Sequence, residues 1–150
     1  MKNLFEPSRV QEVKERIARL APGSQPQWGS MSVAQMLAHC SIGMDSASGD
    51  ARPPRHWMGR MLGPIVKPLA LRNDEPMKKN SPTAPIFLVK DERDFEAERT
   101  RLLDRIDKFA AAGPAGCTTH PHAFFGQLTP DEWAIQMYKH LDHHLRQFGA

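Results

Sequence analysis

Three histidines stand within five residues near the C-terminus, His140, His143 and His144 in the run YKHLDHHLRQF. Stepping by threes and fours from Trp133 reaches Met137, His140, His144 and Phe148. On a helix, His140 and His144 therefore lie about 40° apart inside an apolar seam. Two imidazoles at i and i+4 on one face can chelate a single metal ion. The same helical phase puts His143 with Gln136, Lys139 and Arg146, on a face expected to meet water. A third ligand has to come from another element, and His39, in MLAHCSIG, is best placed, flanking an apolar helix side beside Met36 and Cys40. Three neutral imidazoles leave coordination positions open for water or substrate, which is the pattern of catalytic rather than structural sites. The competing reading is a pair of core histidines bonded to backbone or carboxylates.

The remaining reactive groups carry less. His120 and His122 precede Phe124-Phe125-Gly126 and read as loop residues, with an extra ligand or a substrate contact as the alternative. His56 reads as solvent-facing, and Cys40 as a small buried thiol rather than a thiolate ligand or nucleophile. Gln35, one turn before His39, serves as a helix cap or orients a ligand from behind. No Ser/His/Asp signature, phosphate-cradling glycine loop or pair of carboxylates on the seam is present, and no general base stands out.

The elements that must position these residues follow from the thirteen prolines. Interior proline removes a backbone donor and clashes with the preceding turn, so long helices need the proline-free stretches. The first helix is expected over Ser8 to Leu20, with Val10, Val13, Ile17 and Leu20 as its seam and Pro22-Gly23 as its stop. Ser32 and Gln35 form a capping box for a second helix, Val33 to Ser46, whose apolar side is Val33, Met36, Leu37, Cys40 and Met44. A third starts near Asp91 to Asp94 and ends near Ala111, with Phe95, Leu102, Ile106 and Phe109 inward. A fourth starts on Thr129, Pro130 and Glu132 and runs to Phe148. Some 40 residues separate the second from the third, too many for a plain loop. There Trp57, Met58, Met61, Leu62, Ile65, Val66 and Leu69 suggest a short helix interrupted around Pro64 and Pro68. It is expected to cover one face of the bundle and wall the pocket, the alternative being an in-plane membrane helix flanked by Arg55, Arg60 and Lys67. Asp74 to Pro85 reads as an exposed connector.

Composition agrees with one all-α domain over 1–150. The chain has 150 residues, 40% of them hydrophobic and 25% charged, which fits a globular core and excludes disorder and membrane spanning. Val, Ile and Thr are too few for an all-β fold. The net charge of +3 is thinly spread, without the clustered cations and interleaved aromatics of a nucleic-acid binder. Cys40 and Cys117 have no CxxC spacing, and MKNLFEPSRV lacks a signal-peptide core, so a reducing cytoplasm is expected. Neither nucleic acid nor a membrane is expected as partner, whereas Ala-rich and Met-rich outer faces suggest a homodimer.

The histidine of MLAHC, followed far downstream by HLDHHLRQ, resembles the DinB/YfiT-like superfamily of metalloenzymes. More narrowly, QWGSMSVAQMLAHC, LGPIVKP, KKNSPTAP and FFGQLTPDEWAIQMYKHLDHHLRQFG are similar to a branch labelled a domain of unknown function, a similarity covering nearly the whole chain. The resemblance implies an up-down-down-up four-helix bundle with a long crossover between its second and third helices, in which His39, His140 and His144 hold a divalent metal. It further implies activation of a thiol or water, by a thiol S-transferase acting with a low-molecular-weight thiol of bacteria or by a hydrolase. A bundle that binds metal or a small molecule without turnover is the alternative. Imidazole suits zinc, nickel, copper and iron, with zinc the default.

Overall fold

A computed structural model describes residues 1–150 and contains five α-helices and no strand. They are α1 (Pro7–Ala18), α2 (Val33–Ser48), α3 (Trp57–Leu71), α4 (Phe95–Ala112) and α5 (Pro130–Gln147), with single 3-10 turns at Pro85–Phe87 and Pro114–Gly116. The four proline-free stretches each carry their helix, with ends shifted by a few residues. Both capping boxes form. Ser32 Oγ accepts from the Gln35 N–H while Gln35 Oε1 accepts from the Ser32 N–H. Thr129 and Glu132 do the same at the start of α5, with Pro130 in the first turn. Each box satisfies two amide donors that the first helical turn would otherwise leave unbonded.

Helix α2 packs on α4 and α5, and α1 packs on the same two helices. The shared core is built largely from the expected seams: Val13 and Ile17, then Met36, Leu37, Cys40 and Met44, then Leu102, Ile106 and Phe109, then Trp133, Met137 and Phe148, with Leu141 and Leu145 of α5 joining them outside the expected seam. Ion pairs tie the helices at their edges. Asp45 of α2 accepts from Arg101 and Arg105 of α4, and Asp142 of α5 accepts from Arg16 of α1 and from Arg146.

Two expectations about the crossover segment fail. The crossover helix α3 is unbroken from Trp57 to Leu71 although Pro64 and Pro68 lie inside it. The carbonyls of Arg60 and Pro64 that lose their amide partners belong to exposed residues, where water can replace the missing donor. Nor does α3 bury its apolar doublets: Trp57, Met61 and Ile65 are 66%, 67% and 64% exposed. The face it turns inward is Gly59 and Gly63, where an added Cβ would stand 2.5 Å from the Phe124 carbonyl oxygen. Two glycines one turn apart therefore let the α3 backbone lie directly on the Phe124–Phe125 segment.

Helix α5 is buried almost all round, so its expected polar face does not exist as such. Gln136, Lys139, Asp142 and His143 are all buried. Lys139 Nζ donates to the carbonyls of Ala70 and Asn73, closing the C-terminal end of α3. The connector after α3 is partly used as well, since Lys79 Nζ sits 4.5 Å over the Trp28 ring.

Candidate metal centre

His39 comes from the middle of α2, His140 and His144 from consecutive turns of α5, and the packing of the two helices brings the three rings together. Their centroids lie 4.8 to 4.9 Å apart and the rings meet edge to face. One ligand atom from each lies within 4.8 Å of the others. The i, i+4 spacing on α5 thus does what helix geometry requires, and α2 supplies the third group from across the core.

Two of the rings are held in a defined tautomer. His39 Nδ1 lies 2.8 Å from the Phe87 carbonyl, which can only accept, so Nδ1 carries the proton and Nε2 keeps its lone pair. Gln147 Nε2 donates to the Trp28 carbonyl at 2.7 Å, which fixes the amide so that Oε1 faces His144. Oε1 then accepts from His144 Nδ1 at 2.8 Å, leaving His144 Nε2 as the free base. Outer partners of this kind orient ligating histidines and raise their basicity. His140 Nε2 stands 2.9 Å from His39 Nε2. A proton on His140 joins the two nitrogens, or a cation takes both lone pairs.

Burial keeps the three imidazoles neutral. It is the leading cause that lowers His39 and drives His140 well below the usual histidine range, and it pushes His144 down to about 3, with the neighbouring rings adding to the effect on His140 and His144. A metal ligand must be unprotonated, and these are unprotonated at neutral pH. Space for the His140 ring comes from Gly43, one turn after His39: a Cβ there would lie 3.2 Å from both Nδ1 and Cε1 of His140. Gly43 and His140 are half-buried, so this edge of the cluster reaches toward the surface.

His143 is not where helical phase alone puts it. It is buried, its ring lies edge-on to Trp28 at 5.6 Å and to His144 at 5.0 Å, and its pKa is lowered chiefly by burial, against the backbone of Met77. The segments carrying Trp28 and Met77 cover a side of α5 that an isolated amphipathic helix would expose. His120 and His122 do not join the cluster. His120 Nε2 bonds the Pro53 carbonyl, and His122 Nδ1 accepts from the Phe124 and Phe125 N–H groups while its ring lies 5.3 Å from Trp133. His56 caps α3, accepting from the Met58 N–H. Gln35 acts as the cap of α2 and also donates to the Asp91 carbonyl. The Cys40 thiol is fully buried against Met36 Sδ at 3.7 Å, which raises its pKa and keeps it protonated.

Of the supporting groups, Gln147 and Gly43 were legible in principle, being three residues from His144 and four from His39 on the same helical faces. The Phe87 carbonyl, 48 residues from its histidine in a proline-rich connector, carried no sequence signal.

A family model described as "Protein of unknown function (DUF1569)" matches residues 5–150. No curated protein and no solved structure matches the chain.

Proposed function

The chain belongs to the DUF1569 family, to which no function is attached, and from that footing we propose that it is a metal-dependent enzyme of the thiol S-transferase or hydrolase type. In this reading His39, His140 and His144 hold one divalent ion in a DinB/YfiT-like, up-down-down-up bundle. The observation that carries the reading is the convergence of three neutral imidazoles, two of them with their outer nitrogens already committed to Phe87 and Gln147. Buried histidines kept only for packing also bond backbone or side-chain acceptors, but they need not bring a ligand atom from each of three rings within 4.8 Å of one another. The glycine at 43, which leaves room for the His140 ring, fits the same purpose.

The donor set suits zinc, nickel or iron, with zinc the default. When bound, such an ion supplies Lewis acidity, which lowers the pKa of a coordinated water or thiol toward neutrality. The protein's own part is to hold three lone pairs on one point, to fix two tautomers, and to keep the ligands unprotonated by burial. Substrate approach is along the half-buried His140 and Gly43 edge.

One observation favours the rival reading, a bundle that binds an ion without turnover. His39 and His144 are only 6% and 8% exposed, and two surface clefts of about 410 and 210 Å³ are lined by none of the three histidines. The test is turnover by protein loaded with zinc or nickel, using low-molecular-weight thiols with electrophilic acceptors, and activated esters. Metal-dependent turnover that chelation and His140→Ala both abolish supports the enzyme. Stoichiometric binding of the ion with no turnover in either assay assigns the protein to the binders.

A further inference from the structure

We propose that α3 is a docking face for an anionic lipid bilayer, lying in the plane of the headgroups. Trp57, Met61, Leu62, Ile65 and Leu69 are between 45% and 67% exposed, with only the neighbouring His56 ring stacked against Trp57. At 100° per residue they span an arc of about 140° around the helix, and no charged residue between Trp57 and Leu71 falls inside it, while Arg72 at the C-cap follows on the same side. A soluble monomer rarely leaves a continuous apolar stripe this large facing water. The stripe is also firmly mounted. Gly59 and Gly63 seat the helix backbone on Phe124, Lys139 closes its last carbonyls, and Lys67 bonds the Gln127 carbonyl and pairs with Glu132 at 2.8 Å.

The charge around the stripe says what covers it. Residues 51–73 contain five Lys or Arg (Arg52, Arg55, Arg60, Lys67, Arg72) and no Asp or Glu. The whole chain has 20 basic and 17 acidic residues, so the remainder carries 15 and 17, a net −2. The small overall excess of positive charge is therefore concentrated around one helix. Of the arginines outside this segment all but Arg19 pair with a carboxylate, whereas Arg52, Arg55, Arg60 and Arg72 pair with none, Arg55 donating instead to the Gly59 carbonyl. Two copies meeting through α3 about a two-fold axis would bring these unpaired arginines against each other, which like-charge repulsion opposes. An anionic bilayer accepts the apolar stripe and neutralises its basic surroundings together, with Trp57 at one end suited to the headgroup boundary. Fifteen residues give a helix of about 22 Å, short of the ~30 Å hydrocarbon core. No helix of the chain is long and apolar enough to cross a membrane, so the geometry is peripheral.

The test is cosedimentation of the full chain with phosphatidylcholine vesicles, with and without a one-third share of phosphatidylglycerol, in low and in high salt. Binding to the anionic vesicles should exceed binding to the neutral ones by at least tenfold and weaken with salt. A blue shift of tryptophan emission on binding should disappear in Trp57→Phe. Met61→Glu with Ile65→Glu, both at exposed positions, should cut binding at least tenfold with an unchanged melting temperature, and Arg60→Glu with Arg72→Glu should remove the preference for anionic lipid. Absence of binding to anionic vesicles in low salt overturns the proposal, as does binding that the Met61→Glu, Ile65→Glu protein retains in full. A dimer that Ile65→Glu dissociates, without vesicle binding, also overturns it and assigns the face to a second copy.

Discussion

Gly43→Ala separates the fold from the histidine cluster, because the two should respond with opposite sign. Gly43 lies inside α2, where alanine is favoured over glycine by roughly 0.5–1 kcal/mol. Its φ is not in the left-handed region, so the backbone accepts a side chain without strain. The new methyl would stand 3.2 Å from Nδ1 and Cε1 of His140, and 3.9 Å from Met137 Sδ. Only the first contact is too close, and relieving it displaces the His140 ring by a few tenths of an ångström. Ligand distances in a metal site hold to about 0.2 Å, so the displacement is comparable with the tolerance of the site. By analogy with changes to groups that orient ligands, affinity for zinc should fall about 10- to 100-fold. The metal-free protein should be as stable as the parent or slightly more so. Urea unfolding of the metal-free form and zinc competition against a chromophoric chelator read the two quantities separately. Unchanged zinc affinity, or metal-free protein destabilised by more than about 1 kcal/mol, would refute the packing argument at His140.

Three further outcomes follow from the same geometry. Gln147→Leu removes the acceptor that holds His144 in its tautomer and should lower zinc affinity about 10- to 100-fold, with Gln147→Glu retaining more of it in the same competition assay. His143→Ala, which leaves a gap beside Trp28 and His144, should cost about 1–2 kcal/mol in urea unfolding and weaken zinc binding in part, whereas a water-facing histidine would change neither. His122, pushed down to about 4 by burial and then by the Arg55 charge, must accept two backbone N–H groups and so stay neutral. The unfolded chain takes up this proton near pH 6.5 and the folded chain only near 4, so the contribution is complete above about pH 6.5 and fades as pH falls toward 4, by up to about 3 kcal/mol. Unfolding of metal-free His122→Asn, which cannot titrate, should show a shallower loss across that window, and an identical slope would contradict the assignment.

What could be read from the chain was whatever rests on local geometry. Ser32 with Gln35 and Thr129 with Glu132 mark helix starts because the capping bonds span only three residues, and both boxes form. The apolar seams place the core, since a helix can bury only what its period brings to one side. The same period brings His140 and His144 together, and α2 adds His39. What failed depended on contacts from distant segments. Helical phase assigns His143 to water, yet Trp28 and Met77 lie against that side of α5. In α3 the apolar doublets promised burial, but the inward face belongs to Gly59 and Gly63, whose lack of side chains is a weaker pattern than a row of Met and Ile. The carbonyl of Phe87 is set by chain trajectory alone.

The most direct measurement is the metal content of the purified chain beside its four single histidine-to-alanine variants, each checked for an intact helical signal. The geometry predicts one divalent ion per chain in the parent, none in His140→Ala or His144→Ala, little in His39→Ala, and a partial loss in His143→Ala. A folded parent that takes up no zinc, nickel or iron, or a His144→Ala variant that holds as much metal as the parent, would contradict the claim that these three imidazoles form one site.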